Sequence, residues 1–171
     1  MSLIAVDVEA DGPIPGTEEY SMIAVGAVVV DGAFETTFRA LIRPISQKWL
    51  PEALAVSGYT REQTLAFEEP VVVMRRFARW VTEASEGRPV FISDNLAFDW
   101  MFTCWYFHHF TGGNPFGFSG RRIGDVWAGM QRSMRTSWKH LRTTRHSHDP
   151  LDDAKGNAEA LWKMHLMGVK L

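Results

Sequence analysis

Four acidic residues and one histidine of this chain stand in local sequences that suit metal-ion chemistry. They occupy three separate segments: Asp7 and Glu9 in LIAVDVEADG, Asp99 in FISDNLAFDW, and His148 with Asp153 in HSHDPLDDA. Carboxylate oxygens are ligands that Mg²⁺ and Mn²⁺ prefer, so a fold that gathers the three segments would bind such ions, and we expect two of them. Paired divalent ions assist the cleavage of phosphodiester bonds.

The first segment ends a short apolar run. Residues 3–8 are apolar or β-branched apart from Asp7, which predicts a buried strand that stops before Gly12. Side chains alternate across a strand, so Asp7 and Glu9 project from the same face and can share one cation. Without a cation, two such neighbouring carboxylates repel each other. The alternative is a strand end with polar residues and no metal, because Asp-x-Glu is short enough to occur by chance.

The second segment joins a strand to a helix. Residues 89–93 predict a buried strand, and LAFDWMFTCWYFHHF, residues 96–110, predicts a helix that is apolar around most of its circumference. Asp94 and Asn95 are good capping residues for that helix. An acid near a helix N-terminus also complements the helix dipole, but the two capping residues can already do this, so Asp99 needs another partner.

The third segment opens a second helix. Asp149 and Pro150 predict a helix N-terminus, and the helix should run to about Met167. His148 then lies in the preceding loop and Asp153 in the first turn, where they suit a base and a metal ligand respectively. The alternative reading is a solvated loop histidine beside an acid that complements the helix dipole.

Taken in this order, the segments resemble the DEDD exonuclease superfamily, specifically its histidine-containing (DEDDh) branch, which includes proofreading exonucleases, RNase T and oligoribonucleases. The motifs of that branch are Asp-x-Glu, Asn-x-x-x-Asp with Phe before the Asp, and His-x4-Asp. They match Asp7-Val8-Glu9, Asn95 with Phe98-Asp99, and His148 with Asp153. MIAVGAVVVDG and SGYTREQT also resemble the second strand and the short helical connection of the family. Asp94 stands where many members have His.

The resemblance implies a ribonuclease-H-like fold, a mixed five-stranded sheet flanked by helices. It also implies 3′-to-5′ hydrolysis of single-stranded ends to nucleoside 5′-monophosphates, with RNA favoured over DNA because the short stand-alone members are largely RNases. A homodimer is a further expectation from the family. The residues expected to contact the terminal nucleotide are Ala10, Asp11, Gly12, Met22, Ile23, Asn95 and Phe98.

The expected mechanism uses two Mg²⁺ or Mn²⁺ ions. Asp7, Glu9 and Asp153 are assigned to one ion, Asp7 and Asp99 to the other, and His148 to the base that deprotonates water. Two other functions stay open: a hydrolase of dinucleotides or other small phosphate esters, and a nucleic-acid-binding module without turnover. No motif position carries an inert residue, which argues against the binding module.

Composition fits one compact enzyme. We expect a single domain over residues 1–171, in the cytoplasm and without a membrane partner, because the chain has no 18-residue apolar run and no signal peptide. Cys104 is the sole cysteine and is expected in the core. The net charge of −2 does not favour nucleic acid, but residues 121–145 carry seven basic residues and the single acid Asp125. That stretch could guide a nucleic-acid backbone or be a solvated helical face.

The remaining patterns predict the scaffold. Strands at residues 22–30 and 34–42 are joined by Asp31-Gly32, a hairpin signal, and residues 70–84 form an amphipathic helix. Residues 111–120, TGGNPFGFSG, are expected to be a flexible connection. We therefore expect the site at the ends of the central strands of a mixed sheet.

Overall fold

A computed structural model describes residues 1–171. Its centre is a sheet of five strands in the order β3-β2-β1-β4-β5. The strands are β1 (Ser2–Ala10), β2 (Met22–Val29), β3 (Thr37–Leu41), β4 (Pro89–Ser93) and β5 (Gly120–Arg122). β1 pairs antiparallel with β2 and parallel with β4, while β2–β3 is antiparallel and β4–β5 parallel. The mixed five-stranded sheet flanked by helices that the sequence predicted is confirmed.

Six α-helices surround the sheet. They are α1 (Pro51–Val56), α2 (Arg61–Leu65), α3 (Pro70–Glu83), α4 (Leu96–Thr111), α5 (Ile123–Gln131) and α6 (Pro150–Leu166), with one 3₁₀ turn at Lys139–Leu141. Proline begins α1, α3 and α6, where its missing N–H leaves no hydrogen bond unmade. None of the helices combines the length and the apolar composition needed to span a membrane.

The sheet has an apolar core on each face. Ile4 and Val6 of β1 point into one core with Phe102 of α4, whereas Ala5 points into the other core with Leu161 of α6. This is the alternation expected of a strand covered on both sides. β1 is therefore the buried centre of the molecule, and its carboxyl end is fixed by packing on both faces.

Gly26 of β2 allows α6 to approach the sheet closely. A Cβ added at Gly26 would lie 2.2 Å from backbone atoms of Pro150, so any side chain there would displace the start of α6. Gly26 pairs with Asp7 across β1 and β2. The close approach therefore holds the first turn of α6 beside Asp7.

The connection between β2 and β3 is longer than the predicted hairpin. β2 ends at Val29 and β3 begins at Thr37, whereas the sequence predicted strands to residue 30 and from residue 34. Asp31 Oδ1 accepts hydrogen bonds from the backbone N–H groups of Ala33 and Phe34, at 2.9 and 2.8 Å. This side-chain turn competes with strand pairing and delays the start of β3.

Two further elements differ from the sequence prediction. The glycine-rich segment 111–120, expected to be a connection, is irregular only over residues 112–119, because Thr111 ends α4 and Gly120 begins the three-residue strand β5. α5 lies within the basic stretch 121–145. Asn95 occupies the N-cap position of α4 but makes no side-chain capping bond, and Asp94 pairs with other residues, so the predicted capping of α4 by these side chains is wrong.

Candidate metal site and nucleotide pocket

The candidate site lies at one edge of the sheet, where four elements meet. β1 and β4 are parallel neighbours, so their carboxyl ends reach the same edge. α4 starts directly after β4, and the first turn of α6 is held there by the close approach to Gly26. The edge therefore gathers residues that are far apart in sequence.

Three of the predicted metal ligands form a tight group. Carboxylate oxygens of Asp7, Glu9 and Asp153 all lie within 4.8 Å of one another. Asp7 and Glu9 are half-buried, and Asp153 is almost fully buried. The spacing is small enough for one divalent cation to contact all three after slight side-chain adjustment.

Asp99 approaches this group from α4. Its side chain is buried, and its Oδ1 accepts a hydrogen bond from the backbone N–H of Val8 at 3.3 Å. Its Oδ2 is buried without any hydrogen-bond partner. A buried carboxylate oxygen without a partner is costly, and a cation shared with the neighbouring acids would satisfy it. The residues present therefore fit divalent metal binding.

The pKa values of these acids report mutual repulsion. The pKa of Asp7 is raised well above its usual value, mainly by burial and then by the charges of Asp99, Asp153 and Glu9. Burial, then Asp153 and Asp99, raises the pKa of Glu9 to about 8, and burial raises the pKa of Asp99 to about 7. Without cations the cluster cannot be fully ionised at neutral pH, and bound cations would remove that penalty.

The two histidines of the third segment both reach this edge. His148 Nδ1 lies 3.8 Å from Glu9 Oε1, and His146 Nδ1 lies 2.6 Å from Asp153 Oδ2. Both side chains are exposed, and His148 has a left-handed backbone with φ of 61°. The sequence analysis gave His146 no role, so its direct contact with a predicted metal ligand is a finding of the structure.

The backbone of the histidine loop is anchored to α6. Asp153 accepts hydrogen bonds from the backbone N–H groups of Ser147 and His148, at 3.1 and 3.2 Å. Upstream, Glu159 accepts from the backbone N–H groups of Thr143 and Thr144, at 2.9 and 2.6 Å. The loop backbone is therefore fixed on both sides of the histidines.

A second anchor comes from the sheet. Arg39 of β3 donates hydrogen bonds to both carboxylate oxygens of Asp149, the N-cap residue of α6. Its Nε lies 3.2 Å from Oδ1 and 3.0 Å from Oδ2, and its NH2 lies 2.6 Å from Oδ2. Asp149 also accepts from the backbone N–H of Leu151 at 3.0 Å. Burial raises the pKa of Asp149, but the hydrogen bonds from Arg39 and from the backbone N–H of Leu151 outweigh that effect. The pKa of Asp149 is therefore below its usual value.

A pocket of about 400 Å³ opens beside the carboxylates. It is lined by residues from β1, the following loop, α1 and the start of α4: Glu9, Gly12, Pro13, Leu50, Ala53, Val56, Asn95 and Phe98. The structure thus brings together three of the residues that were expected to contact the terminal nucleotide, namely Gly12, Asn95 and Phe98. A short apolar pocket with a few polar groups beside a charged cluster suits one nucleotide unit.

The other residues expected to contact the nucleotide do not face this pocket. Met22 and Ile23 are fully buried in β2, so the prediction that their side chains hold the nucleotide is wrong. Ala10 is also buried, and the Asp11 side chain is buried against Arg61, with Arg61 NH1 2.9 Å from Asp11 Oδ2. Ala10 and Asp11 were expected to contact the nucleotide through their backbone, and that contact stays a prediction.

Sequence reasoning missed the α1 wall of the pocket. Leu50, Ala53 and Val56 line it, and Pro51 at the helix start was an available signal for a short helix there. Cys104, predicted in the core, is half-buried and lies on the outer side of α4.

That outer side of α4 borders an open groove of about 720 Å³. Its lining contains no carboxylate and consists of Ile14, Pro15, Trp100, Met101, Cys104, Trp105, His108 and His109. The Trp105 and His109 rings are stacked with centroids 4.4 Å apart. The groove and the pocket beside the carboxylates are both bordered by α4 and by the loop after β1, each through different residues of these two elements.

The basic stretch 121–145 contacts the second motif. Asp94 Oδ2 lies 3.3 Å from Lys139 Nζ and 3.7 Å from an Arg142 nitrogen. Arg142 is largely buried. Its charge lowers the pKa of Asp7, but burial and the neighbouring carboxylates raise that pKa more. Four members of the stretch, Arg121, Arg132, Arg135 and Arg145, are exposed and form no ion pair.

Known proteins share this sequence and architecture. No protein-family model matches the chain. The 3′-5′ DNA exonuclease Cap18 of Escherichia coli is 35% identical over an alignment that covers 91% of this chain and 87% of that protein. The nuclease domain of 3′hExo, a DEDDh family member bound to rAMP, has a TM-score of 0.77 at 17% identity, with 99% of this chain and 94% of that chain covered.

A complex of Escherichia coli exonuclease I with single-stranded DNA and zinc has a TM-score of 0.75 at 17% identity, with 98% of this chain and 41% of that chain covered. The two structural comparisons establish the fold, and the identity to Cap18 over nearly the whole chain establishes the family. The chain belongs to the DEDDh family of 3′-5′ exonucleases.

Proposed function

We propose that this protein hydrolyses single-stranded nucleic acid from the 3′ end and releases nucleoside 5′-monophosphates. The observation that carries the proposal is the group of Asp7, Glu9 and Asp153 oxygens within 4.8 Å, directly beside a pocket of about 400 Å³ that Glu9 also lines. The scissile phosphate would lie at the carboxylates while the last nucleotide fills the pocket. One terminal unit is then cleaved at each turnover.

The metal ligands follow from this placement. Asp7, Glu9 and Asp153 would hold one Mg²⁺ or Mn²⁺ ion, and Asp7 with the unpartnered Oδ2 of Asp99 would hold a second. When bound, two such ions supply activation of the attacking water and stabilisation of the leaving 3′-oxygen.

His148 would accept the proton of the attacking water. Its Nδ1 lies 3.8 Å from Glu9 Oε1, so the ring stands at the metal-facing side of the cluster without replacing a carboxylate. The exposed side chain can reorient on its anchored backbone. A base must come within hydrogen-bond reach of the water it deprotonates, and this arrangement allows that.

The groove along α4 favours a strand over a small phosphate ester. Phe98 in the pocket and Trp105 in the groove lie seven positions apart on the same helix, so they share a face about 10 Å apart along its axis. Bases of a single strand can stack on such aromatic surfaces without sequence preference. A dinucleotide hydrolase would need the pocket but not the groove.

The choice between DNA and RNA rests on the relative. Cap18 is named a DNA exonuclease, which favours DNA. The family resemblance alone favoured RNA, because the short stand-alone members of the family are largely RNases. The 2′-hydroxyl is the group that distinguishes the two substrates. We propose DNA as the preferred substrate and matched oligonucleotides as the test.

The deciding assay uses 5′-labelled DNA and RNA oligomers of graded length, with and without Mg²⁺ or Mn²⁺. A ladder that shortens from the 3′ end supports the proposal, and DNA should be cleaved faster than RNA. Activity on dinucleotides alone supports the hydrolase of dinucleotides or other small phosphate esters. Binding without cleavage supports the nucleic-acid-binding module without turnover. Release of internal fragments from a circular strand would show an endonuclease. The homodimer expected from the family stays a prediction, which sedimentation can check.

A further inference from the structure

Two histidines surround one carboxylate of the candidate site. Nitrogen atoms of His146 and His148 and a carboxylate oxygen of Asp153 all lie within 4.8 Å of one another. The proposed reaction assigns His148 to water and Asp153 to a metal ion. His146 has no part in that reaction, although it is the histidine in closest contact with Asp153.

The three side chains differ in mobility in a way that suits ligand binding. The Asp153 side chain is 0% exposed, whereas the His146 and His148 side chains are 50% and 48% exposed. The two imidazole rings have centroids 4.3 Å apart with planes inclined by 63°. One fixed carboxylate therefore faces two imidazoles that can rotate toward a common point.

This ligand set differs chemically from the carboxylate cluster. Imidazole nitrogen suits Zn²⁺ and similar borderline ions, whereas carboxylate and water oxygens suit Mg²⁺ and Mn²⁺. Zinc binds nitrogen at about 2.0–2.1 Å in tetrahedral geometry, which places two ligand atoms about 3.3 Å apart. Rotation of the exposed imidazoles can supply the contraction from 4.8 Å. Three protein ligands leave the fourth position open to water.

We propose that His146, His148 and Asp153 form a binding site for Zn²⁺ or a chemically similar borderline divalent ion. Zinc at this site engages an imidazole nitrogen of His148 and one oxygen of Asp153. It thereby occupies the proposed base and competes for a proposed Mg²⁺ ligand, so the filled site inhibits cleavage. The inhibition rests on the proposed function, whereas the metal binding does not.

The binding is tested by calorimetric titration of the metal-free full chain with Zn²⁺, and the variants separate the proposed site from the carboxylate cluster, with which it shares Asp153. His146→Gln should weaken Zn²⁺ binding by more than roughly tenfold, since loss of even an outer-shell partner costs about that much. Asp7→Asn alters the carboxylate cluster but not the proposed ligand set and should keep tight Zn²⁺ binding. His140→Gln, an exposed histidine in the 3₁₀ turn, should bind Zn²⁺ as the unmodified chain does.

The opposite pattern overturns the site. If Asp7→Asn loses Zn²⁺ and His146→Gln keeps it, zinc occupies the carboxylate cluster and the inference is wrong. Failure of the metal-free, unmodified chain to bind Zn²⁺ overturns it equally. Circular dichroism of each variant establishes that the fold is intact, which is expected because His146 is exposed.

The inhibition is tested by adding Zn²⁺ to the Mg²⁺-supported digestion of a 5′-labelled oligomer, with each variant normalised to its own rate without zinc. The unmodified chain should be inhibited, and His146→Gln should need at least about tenfold more Zn²⁺ for the same inhibition. Equal sensitivity of the two overturns the inhibitory role. A chain that cleaves no oligomer refutes the proposed function alone, because the calorimetric titration still decides whether the site exists.

Discussion

The carboxylates and the histidines of the site are held by the protein in different ways. Asp7 and Glu9 lie on the central strand, and Asp99 and Asp153 lie in the first turns of helices, all buried or half-buried. The histidines lie on an irregular loop whose backbone is anchored while the imidazoles remain exposed. The fold thus fixes the groups that attract cations and leaves adjustable the group proposed to move a proton.

This difference has an energetic consequence. Burial first, and then repulsion between the carboxylates, raises the pKa values of Asp7 and Glu9. Because the fold holds these side chains in place, neither effect can relax by side-chain rotation. The histidine loop carries no comparable constraint. Substitutions in the fixed part should therefore affect metal-dependent chemistry most strongly, and substitutions in the adjustable part should affect proton transfer.

Asp7→Asn should have the largest effect. It removes the charge from the ligand proposed to serve both ions while keeping the side-chain volume, so turnover with Mg²⁺ should fall below detection. Steady-state cleavage of a labelled oligomer measures this, with circular dichroism as the folding control. Glu35→Gln, an exposed acid far in sequence from all three motifs, should leave the rate unchanged. A wild-type rate for Asp7→Asn would refute the two-metal assignment.

His148→Ala should lower kcat by roughly 10²- to 10⁴-fold, the contribution of a general base. Mg²⁺ affinity should change little because no metal ligand is lost. His146→Ala should lower the rate far less, because His146 contacts Asp153 but has no part in the proposed proton transfer. A reversed ranking of the two variants, measured by single-turnover kinetics, would show that the third motif was misread by two residues.

Much of this scaffold was predictable because its local patterns are long. β4 and the start of α4 occur as predicted, and α6 ends within one residue of its predicted end. Each has an apolar run or a helical periodicity that is complete within its own segment. The proximity of Asp7 to Asp153, in contrast, depends on the glycine at position 26, which allows the helix to pack tightly against the strand.

The parts that were missed are short or depend on tertiary context. β5 has three residues and α1 has six, which is too few for a periodic signal. Met22 and Ile23 were assigned to the nucleotide, but β2 is buried along its whole length. A uniformly apolar strand does not reveal which side chains reach a neighbouring pocket.

Trp105→Ala should produce a smaller, length-dependent effect. Stacking of a base on an aromatic side chain contributes roughly 1–3 kcal/mol, so KM for a longer oligomer should rise about 5- to 150-fold. Cleavage of a dinucleotide, which occupies only the pocket, should be unaffected. Phe118→Ala is a matched control, because Phe118 is 92% exposed and lies outside the groove. Equal loss on dinucleotides and longer oligomers would mean that Trp105 supports the fold instead of the strand.

The smallest expected effect concerns stability without metal. Because burial raises the pKa of Glu9 to about 8 and that of Asp99 to about 7, the folded protein binds more protons than the unfolded chain between about pH 4 and those values. The free energy of unfolding of the chelator-treated protein should therefore decrease as the pH rises through this window.

Each kcal/mol lost lowers Tm by roughly 2–4 °C in a chain of this size. Thermal unfolding from pH 5 to pH 9 measures the decrease, and repeating the series with saturating Mg²⁺ should flatten it, since bound cations favour the ionised carboxylates. Glu9→Gln should make the decrease in the metal-free series shallower, because one of the carboxylates with a raised pKa no longer titrates. A Tm of the metal-free protein that rises across this window would show that the pKa values of Glu9 and Asp99 are not raised in the folded protein, and the proposed contrast between the carboxylate cluster and the histidine loop would be lost.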